Sequence, residues 1–142
     1  KKIRIIVVKK TMTTALNGLK VLDFSTLLPG PFATMYLADM GAEVIHIESP
    51  SRPDLIRIMP PYANGQATAH SYLNRNKQSI VLDLKDAASI DLIKAKISEF
   101  DIVIEQFRPD VMRRLGLDYA TLAEINPRLI YCSITGYGQT GS

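Results

Sequence analysis

Short apolar runs alternate with amphipathic segments along most of the chain. Runs rich in Val, Ile and Leu predict five β-strands, at residues 20–24, 43–47, 79–84, 101–105 and 128–134. Apolar residues at helical spacing predict helices between them, at residues 31–40, 86–100, 109–115 and 118–125. Strands that alternate with helices in this way indicate a parallel sheet. The pattern therefore predicts an α/β fold with a doubly wound parallel sheet.

Proline, glycine and aspartate mark the ends of the predicted helices. Pro31 suits a first helical position and Asp118 suits an N-cap. Gly41 and Gly116 suit the C-terminal caps of the helices that precede them. Residues 48–75 contain four prolines, an Asn-Gly pair and few regular patterns. A loop this long is usually functional, so we expect it to border a site.

The net charge of +3 depends on the first ten residues, which carry five of the seventeen cationic side chains. The remainder carries twelve cations against fourteen acids, without interleaved aromatic and basic residues. This balance argues against a nucleic-acid-binding face. We therefore expect no nucleic-acid partner.

Residues 1–12 have the composition of an extension or tag-like tail, and residues 13–142 form the predicted Rossmann-like domain. The apolar run of the tail, at residues 5–8, is far shorter than the roughly 20 residues that cross a bilayer.

The single cysteine, Cys132, lies in an apolar strand pattern, and we expect a small buried hydrophobe there. One cysteine forms no intramolecular disulfide, which fits a reducing compartment. We therefore expect no membrane association and a cytoplasmic location.

The first strand–helix turn lacks the glycine-rich fingerprint of dinucleotide-binding folds, since residues 25–31 read STLLPGP. Glu48, at the end of the second strand, lies where such folds place an acid against a ribose. Amides at the N-terminus of the next helix are a candidate site for a different phosphate-bearing ligand. Nicotinamide binding is therefore disfavoured, and another phosphate-bearing ligand is the alternative.

Basic residues cluster near two of the predicted strands. Residues 74–77 (NRNK) form either a solvated turn or a segment that binds phosphate or adenine, where Arg75 supplies a fork and Lys77 a point charge. Residues 106–108 (QFR) follow the fourth strand, and Arg113 and Arg114 lie one short helix later. Because loops after successive parallel strands converge, these cations could share one anionic ligand.

The remaining reactive side chains give weaker signals. His46 lies in the second strand, in a pattern typical of a packed or solvent-facing residue, and the role of His70 in the long loop stays open. The sequence contains no HExxH, CxxC or GxSxG motif, so nothing supports a zinc hydrolase or a serine hydrolase. We therefore predict no metal site.

Five blocks of sequence, in order along residues 16–142, resemble one superfamily. They read LNGLKVLDFS at 16–25, PGPFATxxLADMGAEVIxIE at 29–48, NRNKQSIVLDLK at 74–85, IEQFRPDVMRRLGLD at 104–118 and NPRLIYCSITGYGQTG at 126–141. These blocks are similar to family III CoA-transferases and α-methylacyl-CoA racemases. Five blocks in register make a stronger signal than any one short motif.

The resemblance implies a Rossmann-like large domain, an interlocked homodimer in complete members, and coenzyme A held along the carboxyl edge of the sheet. CoA is then part of the substrate, and no cofactor is bound permanently. By position, residues 26–28 would approach the thioester and pantetheine end of CoA, and the other implied residues would approach the adenosine and phosphates. The implied CoA-binding residues are Thr26, Leu27, Leu28, Arg52, Leu73, Arg75, Lys77, Gln106, Phe107, Arg114 and Leu115. Family members often carry an Arg where this chain has Ser49, and Arg52 is the candidate substitute.

Three functions stay open. A family III CoA-transferase moves CoA between an acyl-CoA and a carboxylic acid through an aspartate, whereas the racemase exchanges the α-proton of an acyl-CoA with a His and an Asp. Both catalytic sets are expected beyond Ser142, so this chain would be the amino-terminal, CoA-binding part of a larger domain. The third possibility is a non-catalytic CoA-binding or dimerisation module. The Pro-rich segment at 49–73 resembles transferases and the terminal GQTGS resembles racemases, and we favour the transferase.

Overall fold

Strands and helices alternate along the structure, a computed structural model that describes residues 14–140. The strands are β1 (Lys20–Asp23), β2 (Glu43–Glu48), β3 (Tyr62–Ala63), β4 (Gln66–Ala67), β5 (Gln78–Val81), β6 (Ile102–Glu105) and β7 (Ile130–Ser133). The α-helices are α1 (Pro29–Asp39), α2 (Thr68–Leu73), α3 (Ala87–Lys96), α4 (Val111–Leu115) and α5 (Tyr119–Ile125). Short 3₁₀ helices cover Leu55–Ile58 and Ile97–Glu99. The predicted tail at residues 1–12 lies outside the described residues.

Five of the strands form one parallel sheet, in the order β5-β2-β1-β6-β7. Leu22 on β1 lies opposite Ile45 on one side and Val103 on the other. The chain builds the sheet outward from β1 in one direction, to β2 and β5, and then returns to the other side of β1 for β6 and β7. This is the doubly wound order, and it confirms the predicted fold class. The reversal point lies between β1 and β6, where open α/β sheets usually bind ligands.

The central strands β1, β2 and β6 pack on both faces of the sheet. Successive side chains of a strand point to opposite faces, so these strands contribute to two cores. Val21 belongs to a core with Ala38 of α1, whereas Leu22 belongs to a larger core with Ile93 of α3 and Leu122 of α5. Burial on both faces explains why these central strands read as nearly continuous apolar runs instead of alternating ones.

The segment after β2 has more structure than its sequence predicts. Residues 48–75 contain a 3₁₀ helix, the short antiparallel pair β3–β4 and helix α2. The expectation of a segment with few regular elements is therefore wrong. Ile56 and Leu73 anchor the segment, because they pack with Met35 of α1 in a small buried cluster.

Cys132 is exposed, so the prediction that it is buried is wrong. It lies on β7, the outer strand of the sheet. Ile130, two residues earlier on the same strand face, is also exposed. No element among residues 14–140 covers this face, which is why an apolar strand pattern does not bury the thiol here.

No candidate for a membrane-spanning helix or for a cluster of metal ligands occurs among the described residues. Among residues 14–140, no helix is long and apolar enough to cross a membrane. Within the same range, no three His, Cys, Asp or Glu side chains converge in a way that suits a metal ion.

Helix α5 offers a matched test of the larger core. We expect Leu122→Ala to lower the free energy of unfolding by about 2–5 kcal/mol, because Leu122 is fully buried and its truncation leaves a cavity. Ile125, on the same helix, is 44% exposed, and Ile125→Ala should cost only about 0.5 kcal/mol. Urea unfolding of the complete protein measures both, and equal losses would contradict this packing.

Candidate functional site

The candidate site lies at the carboxyl edge of the sheet, where its strands end. Residues 26–28 follow β1, residues 106–107 follow β6, and the glycine-rich residues 135–140 follow β7. Because β1, β6 and β7 are neighbours in the sheet, these loops emerge side by side. The structure therefore brings together two of the predicted groups of CoA-binding residues, 26–28 and 106–107.

Gln106 holds the loop after β1 in place. Its side-chain Nε2 donates a hydrogen bond to the carbonyl oxygen of Thr26 at 2.5 Å, and its Oε1 accepts one from the backbone N–H of Gly30 at 3.0 Å. Both polar atoms of the amide are thus hydrogen-bonded within the chain. Gln106 therefore holds the loop that forms the candidate site.

The first turn of α1 has almost no amide to offer a ligand. Pro29 and Pro31 carry no N–H, and the N–H of Gly30 is bonded to Gln106. The expectation that this helix N-terminus could hold a phosphate group is therefore wrong. Gly30 is also sterically required, since a Cβ there would lie 2.1 Å from the Cβ of Ser25.

A buried polar cluster surrounds Asp23, the last residue of β1. Its Oδ2 accepts a hydrogen bond from Thr34 Oγ1 at 2.6 Å and lies 3.4 Å from both Lys77 Nζ and His46 Nδ1. Its Oδ1 accepts bonds from the backbone N–H of Ser25 at 2.9 Å and from the hydroxyl of the same residue. His46 is buried, and its Nδ1 makes no hydrogen bond although it lies close to Asp23. Of the packed and solvent-facing positions expected for His46, the structure shows the packed one.

Asp23 is ionised although it is buried. Burial alone would raise the pKa of its carboxyl group, but the nearby His46 and Lys77 outweigh that effect and lower the pKa to about 2. Burial in turn lowers the pKa of Lys77, and the attraction of Asp23 opposes that shift. The two groups therefore form an internal ion pair.

The Lys77 ammonium is committed to this cluster. Its side chain is only 2% exposed, and its Nζ also donates to the carbonyl oxygen of Pro31 at 3.0 Å and to Asn74 Oδ1 at 2.9 Å. These bonds tie the segment before β5 to the first turn of α1. The structure thus places Lys77 beneath the candidate site and not on its surface.

Arg75 and Leu73, which lie close in sequence, have different surroundings in the structure. The Arg75 guanidinium binds both carboxylate oxygens of Asp39, at 3.1 and 2.5 Å, and stacks 4.4 Å from the ring centre of Tyr72. Asp39 is the last residue of α1, a helix that starts at the carboxyl edge and runs back to the opposite end. Leu73 is buried against Met35. Leu73 also lines a cavity of about 510 Å³ together with Leu28, so the structure brings this predicted residue to the loop at residues 26–28. It does not bring the Arg75 guanidinium there.

The acid at the end of β2 is also engaged. Glu48 accepts two hydrogen bonds from Arg57, at 2.8 and 2.5 Å, and one from Ser79 at 2.5 Å. The bonds from Arg57 are the main reason that the pKa of Glu48 falls to about 2. Both oxygens of Glu48 thus accept hydrogen bonds from within the chain, which hold the carboxylate against Arg57 and Ser79. Arg52, in the loop after β2, is exposed, and its guanidinium makes no ion pair within residues 14–140.

The predicted residues after β6 divide into apolar and charged members. Phe107 and Leu115 are half-buried and pack against the larger core. Arg114 is exposed on α4. An apolar wall with a cation one short helix away fits a ligand that has an apolar arm and an anionic end.

Glu105, at the end of β6, anchors the glycine-rich loop. It accepts a hydrogen bond from the Ser133 hydroxyl, which in turn accepts one from Gln139 Nε2 at 2.5 Å. A cavity of about 320 Å³ opens beside this chain of bonds. Its lining includes Arg108, Arg113 and Tyr131. The loop after β7 is therefore held by the neighbouring strand.

Sequence reasoning missed two groups of site residues. The cluster around Asp23 has one visible signal, an acid at the last position of an otherwise apolar strand. Lys85 follows β5 and so lies at the same carboxyl edge, on the far side of β2. Its signal is its position directly after a predicted strand.

The ion pair predicts a large effect at a buried position. Lys77→Met should lower the free energy of unfolding by about 3–5 kcal/mol, because it leaves the Asp23 charge buried without its cation. The double variant Asp23→Asn/Lys77→Met should recover part of that loss. Lys96→Met removes an exposed cation and is the matched control. Chemical unfolding of the four proteins tests the pair, and a Lys77→Met loss no larger than that of Lys96→Met would refute it.

The chain matches known proteins along nearly all of its described length. The sequence model described as CoA-transferase family III matches residues 16–142. An acetyl-CoA:oxalate CoA-transferase of Acetobacter aceti is 47% identical over 125 residues, which cover 88% of this chain and 32% of that protein. A succinyl-CoA:glutarate CoA-transferase of Homo sapiens is 45% identical over 127 residues, which cover 89% of this chain and 29% of that protein.

Solved structures agree with the sequence matches. A CAIB/BAIF family protein from Brucella suis superposes with a TM-score of 0.84 at 41% identity, over 92% of this chain and 35% of that one. A hypothetical protein from Mycobacterium tuberculosis gives a TM-score of 0.83 at 38% identity, over 91% of this chain and 36% of that one. The chain thus spans about a third of the length of the relatives that it matches. This chain belongs to family III of the CoA-transferases.

Proposed function

We propose that this chain is the CoA-binding part of an enzyme that moves CoA between an acyl-CoA and a carboxylic acid. The observation that carries the proposal is the loop at residues 26–28. It lies beside Gln106 at the point where the strand order reverses, and it presents Leu27 and Leu28 with 40% and 59% of their surface exposed. Exposed apolar side chains on a firmly held loop suit the pantetheine arm of CoA, which is long and weakly polar.

The anionic end of CoA needs cations, and several remain exposed at the carboxyl edge. Arg52 follows β2, Lys85 follows β5, and Arg108 and Arg114 follow β6. These residues are our candidates for the phosphate groups, because Arg forks and Lys point charges bind phosphate oxygens. The proposal does not use Lys77 or Arg75, whose cationic groups are bonded to Asp23 and Asp39.

None of the carboxylates that end the strands is free to attack a thioester. Asp23, Glu48 and Glu105 are buried and each accepts hydrogen bonds from neighbouring elements. A carboxylate nucleophile must reach the thioester carbon. We therefore propose that the attacking aspartate lies beyond this chain, which fits a chain that spans about a third of its relatives. The role of the residues here is to bind and orient the thioester.

The relatives named above are CoA-transferases, which favours transfer over α-proton exchange. Oxalate and glutarate, in those names, are small dicarboxylates. We propose a small carboxylic acid as the acceptor and, from the family resemblance, a homodimer as the working form. We also retain a cytoplasmic location as a proposal.

The complete protein should produce a new thioester when it is incubated with an acyl-CoA and a small carboxylate, as measured by liquid chromatography. The isolated chain should produce none, because its buried carboxylates cannot attack. The same incubation in deuterated buffer separates the alternatives. Deuterium at the α-carbon without transfer would indicate the racemase, and CoA binding without either reaction would indicate a non-catalytic module.

A further inference from the structure

Leu27 has an unusual backbone conformation for its type. Its φ angle is +62°, in the left-handed region that favours glycine. A side chain with a Cβ is disfavoured there, so surrounding contacts must hold it. The residue lies in the middle of the loop that the proposed function places against the CoA arm. What holds Leu27 therefore affects the site directly.

Asp54 supplies that contact from the other side of the sheet's reversal point. The backbone N–H of Leu27 donates to both carboxylate oxygens of Asp54, at 3.2 Å to Oδ1 and 3.1 Å to Oδ2. Asp54 itself is buried, and its Oδ1 also accepts the N–H of Ile56 at 3.1 Å. This second bond caps the 3₁₀ helix Leu55–Ile58 and fixes the position of the carboxylate.

Two side chains from different segments thus hold the loop after β1 by hydrogen bonds. Gln106, from the loop after β6, holds the carbonyl of Thr26 and the N–H of Gly30. Asp54, from the segment after β2, holds the N–H of Leu27 between them. The two clamps are 52 positions apart in the chain, and only the Asp54 clamp acts on the left-handed residue.

We infer that Asp54 is a positioning residue for the CoA thioester, acting through Leu27. It keeps Leu27 left-handed, and this conformation leaves the side chains of Leu27 and Leu28 exposed at the carboxyl edge. The inference rests on the proposed function, since it needs a thioester at residues 26–28. The segment after β2 thereby contributes to the site through Asp54, without itself contacting CoA.

Asp86 provides the control that separates positioning from simple capping. It caps α3 as Asp54 caps its 3₁₀ helix, and its Oδ1 accepts the N–H of Ala88 at 3.2 Å. Asp86 has no bond to the loop after β1. A variant at Asp86 therefore removes a capping bond and leaves the grip on Leu27 intact.

The experiment compares wild type, Asp54→Ala, Asp54→Asn and Asp86→Ala in the complete protein. Asp54→Ala should lower kcat/KM for the acyl-CoA roughly ten- to a hundredfold, as expected for the loss of hydrogen bonds to a charged group, and leave KM for the carboxylate acceptor unchanged. Asp54→Asn keeps one acceptor oxygen and should recover part of the rate. Asp86→Ala should match wild type.

Hydrogen exchange of the peptide that covers residues 24–32 is the second readout, because it follows the loop independently of activity. Exchange there should accelerate in Asp54→Ala and not in Asp86→Ala. An active wild type whose kcat/KM is insensitive to Asp54→Ala would overturn the inference alone. Equal losses of kcat/KM in Asp54→Ala and Asp86→Ala would also overturn it. So would an equal rise in KM for both substrates in Asp54→Ala. A wild type that neither transfers nor binds CoA would overturn the proposed function, and the inference with it.

Discussion

The buried carboxylate of Asp23 is the contact on which the rest of the site depends. It ends β1 and meets Thr34 of α1, His46 of β2 and Lys77 of the segment before β5. One side chain thus joins four parts of the chain at the base of the candidate site. A charge in this position is costly unless every partner is in place, so the cluster specifies one arrangement of helix and sheet. That arrangement sets where α1 begins and where the loop before it emerges.

Asp23 is one of three acids that end neighbouring strands. Glu48 ends β2 and Glu105 ends β6, and each is buried and bonded to a side chain from another element. Arg57, Lys77 and Ser133 satisfy the three acids from within the chain. These three carboxylates therefore present little free negative charge to a polyanionic ligand. The cations that remain exposed there are those after the strands, such as Arg52, Lys85 and Arg114.

The fold could be predicted from sequence because parallel strands buried on both faces give continuous apolar runs, and glycine caps mark the helix ends. Gly41 and Gly116 both have the positive φ expected of such caps. Strand ends were less accurate: β5 stops at Val81 and not at residue 84, and α3 stops at Lys96 before a 3₁₀ turn. Propensity does not define these boundaries, since they depend on contacts with distant segments.

The site was harder to predict, because sequence position does not show which partners a side chain meets. Arg75 and Lys77 precede β5, which starts beside the middle of β2, and their cationic groups are bonded to Asp39 and Asp23. Gln106 and Phe107 follow β6 and lie at its carboxyl end. A basic cluster gives no indication of whether its charges are already paired, as Arg75 is with Asp39. The position of Gln106 after a predicted strand identified it as a site residue. Its role in holding the loop after β1 depends on hydrogen bonds to Thr26 and Gly30 that only the fold creates.

The loop at residues 26–28, held by Gln106 and Asp54, should receive CoA without rearranging. A crystal structure of the complete protein with CoA would show this. We expect the pantetheine arm against residues 26–28 and Phe107, the phosphates beside exposed cations of the carboxyl edge, and Leu27 still left-handed and bonded to Asp54. CoA bound at another edge of the sheet, or a loop at residues 26–28 released from Asp54 and Gln106 in the complex, would contradict it.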